Sequence, residues 1–423
     1  MKVFPDRTVA GWLLAALAGT AIAHSWPEST VRLAPDGKEV GKPGTERNHP
    51  SDSYILPPNG QALSPNDKIV RDPQAKLTDA SYTTENPMLS VAPGDFVAIK
   101  YRENGHVSRP DKTDPGRPIN RGTVYLYGTT ENDLSNVNLM DVHLKWTSDG
   151  KGGNGKGKLL ATRNYDDGQC HEAPPSDGDL EGIVAYRTKK FSTPQILLCQ
   201  NDVMIPQDAP VGKVYTVIWV WDWPLMKEVG VAVPPADYKS DAVASVQLYT
   251  GVVDYKIVDP CDESLGDTKG PTCKTSKVET NANFAVDAPA ESRGIASQMA
   301  EPFLVKVPQA GFGVAAATAD TKHIPFANLI GQKNLQFPLA QSILDAQNFP
   351  GGGKIPMPTP GPGGAGGNAS AGDDSGDVVV TVTSTIPEGM TTMTVTRGAA
   401  EATKTAPPKL VRALRARRHV HQF

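Results

Sequence analysis

Short runs of β-branched and aromatic residues, separated by turn signals, constrain the fold of this chain more than any other feature. Five such runs predict strands: Phe96 to Tyr101, Thr123 to Tyr127, Val142 to Trp146, Val214 to Trp221 and Val246 to Tyr249. Clusters such as Pro93-Gly94-Asp95 between the runs are typical of tight turns. Many short strands joined by turns predict a mainly β protein with a β-sandwich core.

The composition divides the chain into four segments. Residues 1–23 have the features of a signal peptide, and residues 24–260 carry the strand pattern. In residues 261–350 the apolar residues lose their period, which predicts an extension that wraps the core or is loosely ordered. Residues 351–423 form a Gly/Pro-rich linker and a low-complexity basic tail, for which we expect disorder. Asn368, in Asn-Ala-Ser, is a candidate N-glycosylation site in this linker.

Charge and motif content exclude several classes of function. The net charge of -4 provides no basic face for nucleic acid. No segment after residue 23 has about 18 consecutive apolar residues, so we expect no membrane span. The sequence has no Gly-x-Ser-x-Gly elbow, HExxH helix or P-loop, and no convincing dinucleotide fingerprint. Asp166 and Asp167 could suggest a glycosidase, but an Asp-Asp-Gly turn explains them without catalysis.

The cysteine pattern predicts disulfide bonds. Cys170, Cys199, Cys261 and Cys273 form an even set without the CxxC pairs of a zinc site. In an exported chain this pattern predicts two disulfides. Three connectivities are possible, and we favour Cys170 with Cys199 and Cys261 with Cys273 because sequence neighbours close the shorter loops.

The N-terminal segment makes His24 a candidate metal ligand. Basic residues and the apolar run Trp12 to Ala18 precede Ala21-x-Ala23, as in a secretory signal peptide. Cleavage after Ala23 leaves His24 with a free α-amino group as well as its imidazole. An α-amino group has a pKa of about 7.7 to 8.0 and can release its proton to a metal near neutral pH. With a second imidazole, these nitrogens suit one copper ion.

His106 is the favoured second histidine. It follows a predicted strand in the turn Glu103-Asn104-Gly105-His106, where a side chain can point past the sheet edge. Gly105 allows a sharp turn and a close backbone approach. Glu103 could act as an acid near the metal, although a turn glutamate is more often solvated. The less favoured alternatives are His143, which a strand position makes more typical of a core residue, the loop residues His49 and His171, and the tail histidines.

Gln247-Leu248-Tyr249 is a third feature of the same site. With His24 and Asn104-Gly105-His106, and in the same chain order, it resembles the lytic polysaccharide monooxygenases. These are secreted copper enzymes with an immunoglobulin-like or fibronectin-like β-sandwich. From about His24 to Pro260 the chain also resembles an uncharacterised fungal subfamily that begins His-Ser-Trp.

The resemblance implies a role for each of these residues. His24 and His106 would hold copper, Tyr249 would lie at the axial position as a weak ligand, and Gln247 would position the oxygen species. It also implies a secreted, monomeric enzyme that oxidises a C–H bond next to a glycosidic linkage. Its partners would be a polysaccharide (cellulose, chitin or another wall glucan) and an external electron donor. Thr250-Gly251-Val252 departs from the family, in which many members have a cysteine shortly after the tyrosine.

Two other functions remain open. A non-enzymatic protein of the same fold would bind copper at the fungal wall through the same ligands. A structural wall protein would bind no metal, and His106 would then be an ordinary turn residue. Trp26, Trp221 and Trp223 could stack on sugars, but tryptophans in a β-sandwich more often fill its core.

Overall fold

The computed structural model describes residues 25–50, 54–58, 62–108, 116–172, 184, 187–188, 196–236, 241–275, 293–308, 312, 314, 316–319, 381–384 and 391–394. The strands of the first half are β1 (Pro27–Leu33), β2 (Glu39–Gly44), β3 (Tyr54–Leu56), β4 (Leu89–Val91), β5 (Phe96–Tyr101), β6 (Thr123–Thr129), β7 (Gly157–Asn164) and β8 (His171–Glu172). The later strands are β9 (Ile196–Leu197), β10 (Cys199–Met204), β11 (Val214–Asp222), β12 (Leu225–Met226), β13 (Val243–Ser245), β14 (Leu248–Ile257), β15 (Val305–Lys306) and β16 (Thr318–Ala319). The described part of this unit also contains the short helices α1 (Leu139–Val142) and α2 (Ala296–Ala300) and a 3-10 turn at Glu263–Leu265.

Two sheets form a sandwich. One has the strand order β10-β5-β1-β2, and the other has the order β3-β14-β11-β6-β7 with β4 beside β14. Every pairing in these sheets is antiparallel except that of β4 with β14. The side chains between the sheets form one large apolar core. The prediction of a mainly β protein with a β-sandwich core is confirmed.

Strand β11 is buried on both faces. Val217, Trp219 and Trp221 face the core between the two sheets. Ile218 and Val220 face a second core, which the segments around Ile69 and Trp146 cover from outside. Successive side chains of a strand point to opposite faces, so burial on both faces requires a continuous apolar run. The sequence Val-Tyr-Thr-Val-Ile-Trp-Val-Trp of β11 has this property.

The prediction of a strand from Val142 to Trp146 is wrong. Val142 ends helix α1, and the residues after it form a turn in which Leu144 has a φ of 59°. The carboxylate of Asp141 accepts a hydrogen bond of 3.3 Å from the N–H of Asn138 and so supports the start of the helix. The apolar side chains of this run pack on the outer face of the second sheet. A helical turn can bury them there just as a strand can, so the apolar pattern alone does not distinguish the two.

A buried ion pair fixes the outer segments on the second sheet. The Nε and Nη2 atoms of Arg47 each lie 2.7 Å from a carboxylate oxygen of Asp254 in β14. Thr216 of β11 donates to the same carboxylate at 2.7 Å, and Tyr82 donates to it at 3.0 Å. Because both charged side chains are fully buried, loss of either partner would leave an uncompensated charge in the core.

The chain after the 3-10 turn returns to the sandwich at residues 293–308. The guanidinium of Arg163 in β7 donates to the carbonyl oxygens of Asp202, Gln298 and Glu301 at 2.6 to 3.0 Å. The carboxylate of Asp202 accepts the N–H of Ile295 at 2.5 Å. The bonds to Gln298 and Glu301 satisfy carbonyl groups at the end of α2, where a helix leaves its last carbonyls without intrahelical partners.

The structure contains the disulfides Cys170–Cys199 and Cys261–Cys273. The prediction of two disulfides is confirmed. In the described ranges, no helix is both long and apolar enough to cross a lipid bilayer. A second compact unit, residues 356–423, has in its described part an antiparallel pair of strands, β17 (Thr381–Ser384) and β18 (Thr391–Thr394).

Glu46 is a buried carboxylate that makes stability depend on pH. Its side chain is fully buried, 3.2 Å from Nδ1 of the half-exposed His49. Burial raises the pKa of Glu46 from its ordinary value of 4.5 to about 8, and the charge of Glu28 adds to this effect. The folded state therefore favours protonated Glu46. Its contribution to stability is complete below pH 4.5 and is lost as the pH rises through about 8.

We expect the Glu46→Gln substitution to remove this part of the pH dependence. Each pKa unit corresponds to about 1.4 kcal/mol, so the free energy of unfolding of the native chain should fall by on the order of 2 kcal/mol between pH 6 and pH 9. Urea unfolding at several pH values measures this free energy. Glu131→Gln, at an exposed carboxylate, is the control. Equal pH dependence in Glu46→Gln and the native chain would contradict this account.

Candidate functional site

The turn that carries His106 follows β5 and closes around a buried carboxylate. Glu103 accepts hydrogen bonds from the N–H of Val107 at 2.6 Å, the N–H of Ser108 at 3.3 Å and the hydroxyl of Ser108. Its carbonyl oxygen accepts the N–H of His106 at 2.9 Å. Asn104 and Gly105 have φ values of 46° and 85°, a conformation that Asn and Gly adopt most easily. Glu103 is therefore an internal clamp of the turn and not the solvated residue that its turn position suggested.

A second glutamate holds the same turn from the other side. Glu172 of β8 accepts hydrogen bonds from Nη1 of Arg102 at 2.9 Å and from the N–H of Asn104 at 3.2 Å. Its carbonyl oxygen lies 2.7 Å from Oγ of Ser108, as an alternative acceptor for that hydroxyl. The Cys170–Cys199 disulfide lies two residues before Glu172. The clamp thus joins the turn to a covalently closed part of the fold.

His106 lies at the edge of the sandwich core, and its side chain is mostly covered by aromatic rings. It is 5% exposed. Its ring centroid lies 4.2 Å from that of Trp223 and 4.8 Å from that of Trp221, edge to face in both cases. The rings of Tyr165 and Tyr249 lie 6.1 and 6.4 Å away. Such packing leaves the imidazole little rotamer freedom.

Trp221 is the centre of this aromatic group. Tyr165 stacks on it at 3.8 Å, Tyr249 at 4.7 Å and Trp223 at 5.2 Å between centroids. Its indole Nε1 donates to the carbonyl oxygen of Arg121 at 2.8 Å. The indole is thus fixed on its faces and at its polar edge. It forms a rigid floor under His106.

Gln247 and Tyr249 lie beside this floor. The strand β14 begins at Leu248, so Gln247 immediately precedes it and Tyr249 is its second residue. Nε2 of Gln247 donates to the hydroxyl oxygen of Tyr249 at 2.5 Å. Nη2 of Arg117 donates to Oε1 of Gln247 at 2.8 Å. Burial raises the pKa of Tyr249 to about 12, so its phenol remains protonated at neutral pH.

The N-terminal edge of the described chain lies next to the same turn. His24 lies outside the described residues. Ser25 is buried, and its hydroxyl donates to the carbonyl oxygen of Arg102 at 2.8 Å. The hydroxyl of Tyr165, whose ring faces His106, donates to that carbonyl at 3.3 Å. Ser25, the residue after His24, is therefore hydrogen-bonded to Arg102, the residue that precedes Glu103.

The other candidate histidines in the described ranges have structural contacts. His143 is fully buried, burial lowers its pKa to about 3, and its Nδ1 lies 3.0 Å from the hydroxyl of Tyr127. His171 is also buried, with Nδ1 3.0 Å from the carbonyl oxygen of Gln169. His49 is half exposed beside Glu46. The remaining histidines, His323, His419 and His421, and the candidate glycosylation site Asn368 lie outside the described residues.

Two other groups raised by the sequence have structural surroundings. Asp166 pairs with Arg187 at 2.9 Å, and Asp167 accepts the N–H groups of Gln169 and Cys170 at 2.8 Å. Asp167, Cys170 and Cys199 are the one compact set of potential metal ligands in the part of the chain that the structure describes, but both cysteines are in the disulfide.

The tryptophans differ in exposure. Trp221 and Trp223 are buried beneath His106, so neither is a sugar platform. Trp26, two residues after His24, is partly exposed.

Sequence reasoning missed three residues of the site. Tyr165 lies in the turn after β7, Glu172 is 68 residues from Asn104, and Arg117 is 130 residues from Gln247. Their contacts bring together positions that no local pattern connects. A signal that could have identified Tyr165 is its position directly before the Asp166-Asp167-Gly168 turn, where an aromatic residue is not needed for the turn itself.

We expect Glu103→Ala to loosen the turn that carries His106. The substitution leaves the buried N–H groups of Val107 and Ser108 without their acceptor, and each loss costs about 1–3 kcal/mol. Urea unfolding should show a loss of roughly 3 kcal/mol, and hydrogen exchange at the Val107 and Ser108 amides should accelerate. Glu131→Ala, at an exposed site, is the control. Unchanged exchange at both amides would rule out the clamp.

The chain was compared with known proteins. Residues 21–285 match the family described as a domain of unknown function (DUF7492). A search of curated proteins finds no match.

Several solved structures are similar. A CBM33 protein of Bacillus amyloliquefaciens in complex with Cu(I) is 11% identical over 44% of this chain, with a TM-score of 0.19, and the chain spans 61% of its length. A cellulose-active polysaccharide monooxygenase from M. thermophila is 11% identical over 56% of this chain and 78% of its own, with a TM-score of 0.26. The extended catalytic domain of H. jecorina LPMO9A is 11% identical over 70% of this chain and 100% of its own, with a TM-score of 0.23.

The family match carries the identification because it extends over more than half of the 423 residues. It includes the whole sandwich and every residue of the aromatic group around His106. The protein is a member of the DUF7492 family.

Proposed function

We propose that this protein is a secreted copper-dependent oxidative enzyme that acts on polysaccharide. The observation that carries the proposal is the position of His106. Its imidazole is fixed by a doubly clamped turn over an aromatic floor, with the ring of Tyr249 6.4 Å away and Ser25 bonded to the residue before that turn. In sequence, the same residues resemble the lytic polysaccharide monooxygenases. The copper domain would be residues 24–260, with 261–350 as an extension and 351–423 as linker and tail.

The donor set fits copper. His106 is an imidazole, and a chain that begins at His24 adds an α-amino group and a second imidazole. Consecutive Cα atoms lie about 3.8 Å apart, so such a chain begins beside the fixed Ser25. Nitrogen donors of this kind favour copper over the other divalent first-row ions. Tyr249 would be a weak fourth donor, because its phenol is protonated at neutral pH.

Copper, when bound, supplies a couple between Cu(II) and Cu(I) and can activate oxygen or peroxide for attack on a C–H bond next to a glycosidic linkage. The residues of the chain have other roles. The aromatic floor excludes water from the inner side of His106. Gln247 offers N–H donors next to Tyr249, and Trp26 is the partly exposed aromatic side chain that could contact a sugar. An external electron donor would provide the reducing equivalents.

We expect the secreted protein to begin at His24 and to bind one copper ion tightly. Intact-mass analysis determines the first residue, and Cu(II) titration determines the affinity. His106→Ala should weaken binding by at least about 100-fold, because the loss of one nitrogen ligand costs several kcal/mol. An added alanine before His24 should weaken it similarly, because the α-amino group moves away. His49→Ala is the matched control and should bind as the native chain does.

A different N-terminus in the secreted protein, or tight binding that survives His106→Ala, would overturn the copper site. Peroxide-driven turnover of a redox dye, with pull-down on insoluble glucan or chitin, separates the enzyme from a copper-binding wall protein. Turnover that His106→Ala abolishes supports the enzyme. Tight copper without turnover would leave the binding protein as the function.

A further inference from the structure

We propose that Arg117 is a positioning residue that fixes the orientation of the Gln247 side-chain amide. It holds the amide so that its N–H groups, and not its oxygen, face Tyr249. This inference deepens the proposed function, which places Gln247 and Tyr249 beside the metal. No local sequence pattern indicates such a role for Arg117.

The contacts form a chain across the end of the second sheet. Nη2 of Arg117 donates to Oε1 of Gln247 at 2.8 Å, and Nε2 of Gln247 donates to the hydroxyl oxygen of Tyr249 at 2.5 Å. Nη1 of Arg117 donates to the carbonyl oxygen of Trp223 at 2.6 Å. Arg117 therefore contacts both Trp223, the first residue after β11, and Gln247, the last residue before β14.

The chemistry of arginine decides the orientation of the amide. A glutamine side chain has nearly the same shape when its oxygen and nitrogen exchange places. A guanidinium has five donors and no acceptor, so only the oxygen of Gln247 can satisfy it. The nitrogen is then forced toward Tyr249. The direction of the Gln247–Tyr249 hydrogen bond thus follows from the charge type of residue 117.

The guanidinium itself is held rigidly. It lies over the ring of Trp223, 3.8 Å from the ring centroid, in a favourable cation–π position. The N–H of Trp223 donates to the carbonyl oxygen of Gln247 at 2.8 Å, which fixes the backbone that carries the amide. Because Trp223 also packs on His106, Arg117 and the metal-ligand candidate share one aromatic neighbour.

The orientation has a consequence for the electrostatics beside His106. Tyr249 accepts a hydrogen bond from Gln247, so the phenolic proton points away from Gln247. The second N–H of the amide remains a donor on this side of the site. A donor here stabilises negative charge on a molecule bound near Tyr249, whereas a flipped amide would present an acceptor and repel it.

The test measures the direction of the Tyr249 hydrogen bond in the metal-free mature protein. Raman spectroscopy reports through the tyrosine doublet ratio whether a phenol acts as donor or acceptor. Subtracting the spectrum of the matching Tyr249→Phe variant isolates Tyr249 in the native, Arg117→Lys and Arg117→Met backgrounds. Lysine is also a donor without acceptor capacity, so it should retain the acceptor signature of Tyr249. Methionine has no donor, and the ratio should shift toward the donor signature.

An acceptor signature that persists in Arg117→Met would overturn the inference, as would a donor signature in the native chain. If Arg117→Met does not fold, the native and Arg117→Lys spectra decide, and both must show Tyr249 as acceptor. The readout needs no copper, so it is separate from the test of function. If Arg117→Met leaves the Tyr249 signature unchanged while the native protein binds copper tightly, only the inference is contradicted. If Arg117→Met shifts the signature but the native protein binds no copper, only the proposed function is contradicted.

Discussion

The packing of Trp221 at the end of β11 connects the core of the sandwich to the candidate site. Its ring contacts Tyr165, Tyr249 and Trp223 by stacking, and it contacts His106 by an edge-to-face arrangement. These residues come from four separate parts of the chain, and burial of one indole fixes them together. The aromatic floor therefore has the stability of the core itself. A site on this floor is preorganised before any ligand binds.

The turn that carries His106 is rigid for a different reason. Its backbone N–H groups face a buried carboxylate instead of a strand partner. Burial raises the pKa of Glu103 to about 7, while the hydrogen bonds from Ser108 and Val107 lower it. The clamp is thus a balance between the cost of a buried carboxylate and the hydrogen bonds that it accepts. On the second sheet, Asp254 is a buried carboxylate that pairs with Arg47 and accepts hydrogen bonds from Thr216 and Tyr82.

The sequence was sufficient for those parts of the structure that depend on local pattern. Strand β11 follows from a continuous apolar run, and β5 follows from its β-branched residues. The run from Val142 to Trp146 shows the limit, because its apolar residues satisfy the same buried face from a helical turn. His106, Gln247 and Tyr249 could be proposed because a turn or a short motif marks them. Glu172, Tyr165 and Arg117 could not, since their roles depend on contacts over long sequence separations.

The central claim is that His106 and the α-amino terminus at His24 hold one copper ion over this aromatic floor. Anomalous X-ray scattering at the copper absorption edge, from crystals of the mature, copper-loaded protein, tests it most directly. The account predicts a single strong peak within bonding distance of the His106 imidazole and of the N-terminal nitrogen. A peak at any other histidine, or no peak beside His106 in crystals that contain copper, would contradict it.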